Sequence, residues 1–134
     1  MFIRKALTVL VVASSVLGIP AVSLAAGSPP CELREHHIVS VEPYRPEERF
    51  GRASLPVLRG ARIYVQAEPG LTAEWLRHSL AGHLAAQQSD CALDVDGLKV
   101  DVESAGSGFR VTLSSPDSER RGEEILRRAR RLVG

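Results

Sequence analysis

Residues 31–37 read CELREHH, which places one thiol, two carboxylates and two imidazoles within seven positions. Such a set is open to metal chemistry or to oxidation. Cys31, His36 and His37 could share copper(II) or zinc, with carboxylate help from Glu32 or Glu35. Cys31 could instead pair with Cys91, the only other cysteine in the chain. The two readings exclude each other, because a thiolate ligand must be reduced. The histidines are adjacent, and in an extended strand adjacent rings leave opposite faces. They also lack a recognised ligand spacing such as CxxC or HExxH. A Cys31–Cys91 bridge would close a loop of about 60 residues and add about 4 kcal/mol on the chain-entropy model. The disulfide is therefore the leading expectation, with a site at His36 and His37 as the alternative.

The remaining reactive side chains form no familiar catalytic set. His78 and His83 are five residues apart on a predicted helix, so they point about 140° from each other and cannot chelate one ion. His83 falls on the apolar Leu76/Leu80/Leu84 stripe, where a histidine is expected to be a core or boundary residue with its ring nitrogen satisfied. The run RRARR (Arg127, Arg128, Arg130, Arg131) is a candidate anionic-surface patch. The competing reading is a solvated helix end whose basic residues suit the helix dipole. No GxSxG, Walker loop or strand–helix GxGxxG is present, and SAGSG (104–108) sits in a hairpin rather than ahead of a helix. Asp94 and Asp96 in DVDG lack the rest of a calcium loop. Neither an enzyme nor a cofactor is implied.

The N-terminal residues suggest where such groups would be used. Arg4 and Lys5 precede an apolar run at 6–17; Gly18 and Pro20 break it, and Ser23-Leu24-Ala25 offers small residues at the cleavage positions. This pattern is that of a secretory signal peptide over residues 1–25, with an uncleaved anchor as the alternative. Removing 25 of the 134 residues leaves 109, enough for one small domain. The remainder carries 15 basic and 16 acidic residues. That near-neutral balance gives no net-charge argument for nucleic acid. Two cysteines in an exported chain meet an oxidising compartment, which again favours the disulfide.

The elements follow from periodicity. Residues 26–60 read as an irregular arm, with an edge strand at 37–42 that Pro43 closes. Residues 61–134 read as a compact domain. ARIYVQA (61–67) alternates as a half-buried strand, turning Ala61, Ile63, Val65 and Ala67 inward. Thr72 caps a helix that runs to about residue 88. Gly82 inside it suggests close approach of another backbone. LKVDVES (98–104) and FRVTLS (109–114) form a hairpin. Ser115 is then expected to cap a second helix, with Pro116 at its first position. Apolar positions Gly122, Ile125, Leu126, Ala129, Leu132 and Val133 keep helical spacing.

The order β-α-β-β-α predicts an α+β two-layer sandwich, a split β-α-β or ferredoxin-like arrangement. Both helices cover one face of a three- or four-stranded sheet, and 109–114 lies between 61–67 and 98–104. The first of these strands and the one after the helix should run parallel. The uncovered face would carry Arg62, Tyr64, Gln66, Lys99, Asp101, Glu103, Arg110 and Thr112.

Two segments, LTAEWLRHSLAGHL and DVDGLKVDVESAGSGFRVTLSSPDSERRGEEILRRARRLV, carry a resemblance. Together they resemble a BON domain, a small module of exported bacterial proteins built from a helix, a hairpin and a second helix. The likeness covers about the last 65 residues and rests on hydrophobic pattern. The chain departs from the family in carrying ARIYVQA upstream and in lacking the Gly that often follows the VTLS-like strand. The resemblance implies envelope residence and binding, with no catalytic residues to carry over. The sequence thus points to a small exported binding or structural accessory module, periplasmic or secreted. Its partner is an unidentified protein or envelope component, with weak contact to an anionic membrane surface as an accessory expectation. A periplasmic metal-binding protein using His36, His37 and Cys31 is the alternative.

Overall fold

A computed structural model describes residues 31–84 and 91–134. A short 3-10 turn (Glu32–Glu35) leads into strands β1 (Ile38–Tyr44), β2 (Glu47–Phe50), β3 (Ala53–Pro56) and β4 (Gly60–Gln66). Helix α1 (Ala73–Leu84), strands β5 (Lys99–Ala105) and β6 (Gly108–Ser114) and helix α2 (Glu119–Arg130) follow. The protein is α+β. Four strands form one sheet in the order β1-β4-β6-β5, and β2-β3 is a separate two-stranded ribbon.

Strict alternation fixes the faces of the main sheet. Ala61, Ile63 and Val65 of β4, Phe109, Val111 and Leu113 of β6 and Val102 of β5 are buried in one cluster. Leu76 and Leu80 of α1 and Ile125, Leu126 and Ala129 of α2 join the same cluster. Removing each of the larger side chains from water stabilises the fold by about 1.5–3 kcal/mol. All neighbouring strands pair antiparallel. Because β4 and β5 both run antiparallel to β6, they run parallel to each other with β6 between them, in the expected order. The edge strand is present too, as β1 against β4.

Pro43 does not end β1; it lies within it, opposite Ala61. The Tyr44 carbonyl accepts from the Arg59 N–H at 2.9 Å. Alternation therefore turns the Pro43 nitrogen toward the open edge, where no ladder bond is lost. A register shift falls between Ile38 and Ser40. At the other margin of the sheet, the two-residue turn Gly106-Ser107 sets the register of β5 on β6. In that register the peptide groups of Val102 face outward. Arg77 of α1 reaches over and donates Nη2–H to the Val102 carbonyl at 2.5 Å.

The stretch after Tyr44 is more regular than expected. Glu47–Phe50 and Ala53–Pro56 pair as a hairpin, with Gly51 at φ 63° in the first central position of its two-residue turn. Nearly every position of this ribbon is polar or exposed, so it lacks the inward apolar alternation by which the core strands are recognised.

Two further expectations are corrected. Helix α2 is capped by Ser118, whose Oγ accepts the Arg121 N–H at 3.3 Å, and not by Ser115. Ser115 is buried instead, with its N–H donated to the Arg59 carbonyl at 2.8 Å and its Oγ unpartnered among the described residues. Gly82 meets no neighbour among the described residues: a Cβ there would have none of them within 4 Å. The glycine at a close approach is Gly122, where a Cβ would lie 2.8 Å from the Leu58 carbonyl oxygen and 2.8 Å from the Arg59 carbonyl carbon. The Thr72 cap is as expected, accepting the Trp75 N–H at 3.1 Å. The expected extension of α1 to residue 88 lies outside the described residues beyond Leu84.

Candidate functional site

CELREHH resolves into an anchor. Cys31 and Cys91 form a disulfide with a Cα–Cα distance of 5.3 Å, and both are buried. Oxidation withdraws Cys31 from any thiolate–metal site. The 3-10 turn after it buries Leu33 completely, and Glu32 accepts the Ser79 hydroxyl of α1 at 2.6 Å. The arm is thus tied to the helix by covalent, apolar and polar contacts.

The two histidines part company. The His36 side chain is 8% exposed and packs edge-on to Trp75, with ring centroids 6.0 Å apart. Its Nδ1 lies 3.4 Å from Glu68 Oε2; its Nε2 is 3.9 Å from Glu32 Oε1 and has no hydrogen-bond partner among the described residues. His37 is exposed, and its backbone N–H donates to Glu68 Oε1 at 3.3 Å. The Glu68 carboxyl is held below its ordinary pKa, first by the His37 N–H and then by the His36 ring. Among the described residues no group of three or more His, Cys, Asp or Glu side chains is placed to hold a metal ion. His78 is solvent-facing as expected, beside Glu74 at 3.9 Å. His83 is half-buried as expected, but its Nε2 has no partner among the described residues, against the satisfied ring that was expected.

The arginine run is partly consumed by the fold. Arg127 and Arg128 both bind Glu124, and Arg128 also donates to the Asp94 carbonyl at 2.9 Å and the Cys91 carbonyl at 3.3 Å. The same two arginines hold the Glu124 carboxyl below its ordinary pKa. Arg128 is therefore a clasp on the segment that carries the disulfide. Arg130 and Arg131 are exposed.

The uncovered sheet face is the most developed surface. Register sets its side chains in rows across the strands. Ser40, Tyr64, Arg110 and Glu103 form one row; Glu42, Arg62, Thr112 and Asp101 form the next; Tyr44, Gly60, Ser114 and Lys99 form the third. Arg110 pairs with Glu103 at 2.6 Å, and the hydrogen bonds it donates to Glu103 and then Tyr64 raise its pKa, so it stays charged. The Arg62 guanidinium lies over the Tyr44 ring, 4.9 Å from its centroid. Its Nε is buried and has no partner among the described residues. Two depressions mark the face. One, of about 410 Å³, is lined by Ser40, Glu42, Tyr64 and Gln66 among others. The other, of about 350 Å³, is lined by Tyr44, Arg62, Lys99, Asp101, Thr112 and Ser114 among others.

Alternation identified this face in the sequence, but not the contributions of β1. Tyr44 belongs to it only because β1 continues through Pro43. In comparisons with protein-family models, curated proteins and solved structures, nothing matches this chain.

Proposed function

We propose that the protein is a small exported module of a bacterial envelope that binds a protein or envelope component through its uncovered sheet face. The observation that carries this reading is Arg62 Nε, a buried donor in the middle of that face with no partner among the described residues. Buried donors are ordinarily paired, so an unpaired one on a side chain that lines a depression invites an acceptor from outside. A carboxylate or carbonyl seated between Arg62, Thr112 and Lys99 would satisfy it. The disulfide fits an oxidising compartment. No helix of the described residues is long and apolar enough to cross a membrane. The signal-like N-terminus and the BON-like pattern of the last 65 residues support the same location. The single buried cluster shared by both helices and the inward strand faces supports a two-layer, ferredoxin-like sandwich extended by β1. No residue is given a catalytic role, and no cofactor is invoked.

A photo-cross-linking amino acid at Thr112, with a matched probe at exposed Glu74 on α1, tests this in the native host. The Thr112 probe is expected to give a discrete cross-linked product that Arg62→Glu removes, and the Glu74 probe is not. A Thr112 product indifferent to Arg62→Glu, or no product, would count against the sheet face as the binding site.

A further inference from the structure

We propose that the β2–β3 hairpin is a docking element for an anionic lipid bilayer, with its tip entering the headgroup region. Phe50 is 52% exposed and Leu55 54% exposed. Phe50 lies opposite Ala53 and Glu48 opposite Leu55, so Phe50 and Leu55 project from the same face of the ribbon, one diagonal step apart. A two-stranded ribbon this short is at best marginally stable alone. Here it is braced at its base. Arg59 forms a two-pronged ion pair with Glu48, its Nη2 reaching Oε2 at 2.6 Å, and the Val57 N–H donates to the Pro46 carbonyl at 3.0 Å. The Arg59 guanidinium holds the Glu48 carboxyl below its ordinary pKa. The hairpin is therefore held out from the sheet with an apolar pair that its own fold does not cover.

Charge selects the occupant. Arg49 and Arg52 flank Phe50 at the tip and Arg45 stands at the base. All three are exposed, and none takes part in an ion pair among the described residues. Glu48 is spent on Arg59, and Glu47 accepts the Ser54 hydroxyl at 3.1 Å. A narrow ribbon with exposed cations around an apolar tip matches the layering of an anionic bilayer, with headgroup charge outside and hydrocarbon beneath. A soluble polyanion would satisfy the arginines but leave Phe50 and Leu55 in water. Two apolar side chains support reversible adsorption rather than permanent insertion. This surface does not depend on what the sheet face binds.

The test uses the full chain with Phe50→Trp in a Trp75→Phe background, which makes the tip the single tryptophan. Leu55→Trp in the same background probes a second position on the same face. With phosphatidylglycerol–phosphatidylcholine vesicles, the emission of both probes is expected to shift to the blue and to be quenched by brominated acyl chains. With phosphatidylcholine alone it is expected to stay unchanged. Each arginine near an anionic surface contributes about fivefold in affinity. Arg49→Glu with Arg52→Glu should therefore weaken the response tenfold or more. The proposal is overturned by no shift on anionic vesicles, by an equal shift on neutral ones, or by a response that the double reversal leaves intact. An equal shift with polyphosphate in solution overturns it too, in favour of a soluble anion.

Discussion

Glu68 shows how much of the N-terminal arm rests on a single carboxylate. It faces the His36 ring on one oxygen and the His37 backbone N–H on the other. Its pKa is depressed in the folded state from an ordinary 4.5, chiefly by that N–H. A depressed carboxylate contributes stability that is present above its unfolded pKa and lost as pH falls through its folded pKa. Wild type should therefore exceed Glu68→Gln in stability near neutrality. The difference should close as the solution is acidified below 4.5. Urea unfolding across that range measures it, and a difference independent of pH would exclude the ionic contribution.

Two glycines make an opposed pair at the same scale. At Gly122 a Cβ meets backbone at 2.8–2.9 Å, and backbone cannot swing aside. Overpacking of this kind costs about 1–3 kcal/mol, which outweighs the roughly 1 kcal/mol by which Ala favours a helix over Gly. At Gly82 no described residue lies in the way, and only the helix preference remains. Gly122→Ala is expected to lower the unfolding midpoint and Gly82→Ala to raise it, by thermal or urea denaturation. The sequence alone implies the reverse, because Gly122 fits an apolar stripe and Gly82 suggests close approach of another backbone. What a glycine touches is tertiary information, and helical periodicity does not carry it.

At the scale of elements, strands with a buried face were legible and those without one were not. β4, β5 and β6 alternate because each turns one face to the core. β2 and β3 have no such face, so their sequence reads as irregular. Pro43 read as a stop because proline cannot donate to a ladder. It continues the strand because β1 is an edge and the missing N–H points outward. The start of α2 was misplaced for a related reason. Ser115 followed by Pro116 is a good cap in isolation, but burial against Arg59 commits Ser115 to the sheet end and leaves Ser118 to cap. Ser118→Ala is expected to cost about 1 kcal/mol. Ser115→Ala removes a buried hydroxyl that has no partner among the described residues and should be neutral or slightly stabilising. Equilibrium unfolding of the two variants separates the assignments, and equal losses would contradict this one.

For the whole molecule the disulfide is the widest constraint. It joins residues 60 apart in sequence and ties the arm to the segment that Arg128 clasps. Its pairing was legible because two cysteines in a chain with an export-like N-terminus leave few alternatives. Its burial in the main cluster was not, because the arm carries no periodicity to place it. Cys31→Ser with Cys91→Ser, or reduction of the wild type, should lower stability by about 4 kcal/mol. Domains of this size have about 5–15 kcal/mol in all. Denaturant titration with and without reductant checks the figure, and a loss below about 1 kcal/mol would show that packing alone holds the arm.

The two margins of the main sheet have a consequence for how anything can join this protein. Along β1 the run of donors is interrupted by Pro43 and distorted by the shift near Val39. Along β5 a guanidinium from the neighbouring helix already occupies the central outward carbonyl. The sheet is a finished tile, bordered on both sides, to which another strand cannot readily be stitched. A peptide partner would have to lie across the rows of the open face, reading side chains instead of backbone. Crowded copies of the chain would meet through their surfaces and would not zip into a continuous ribbon.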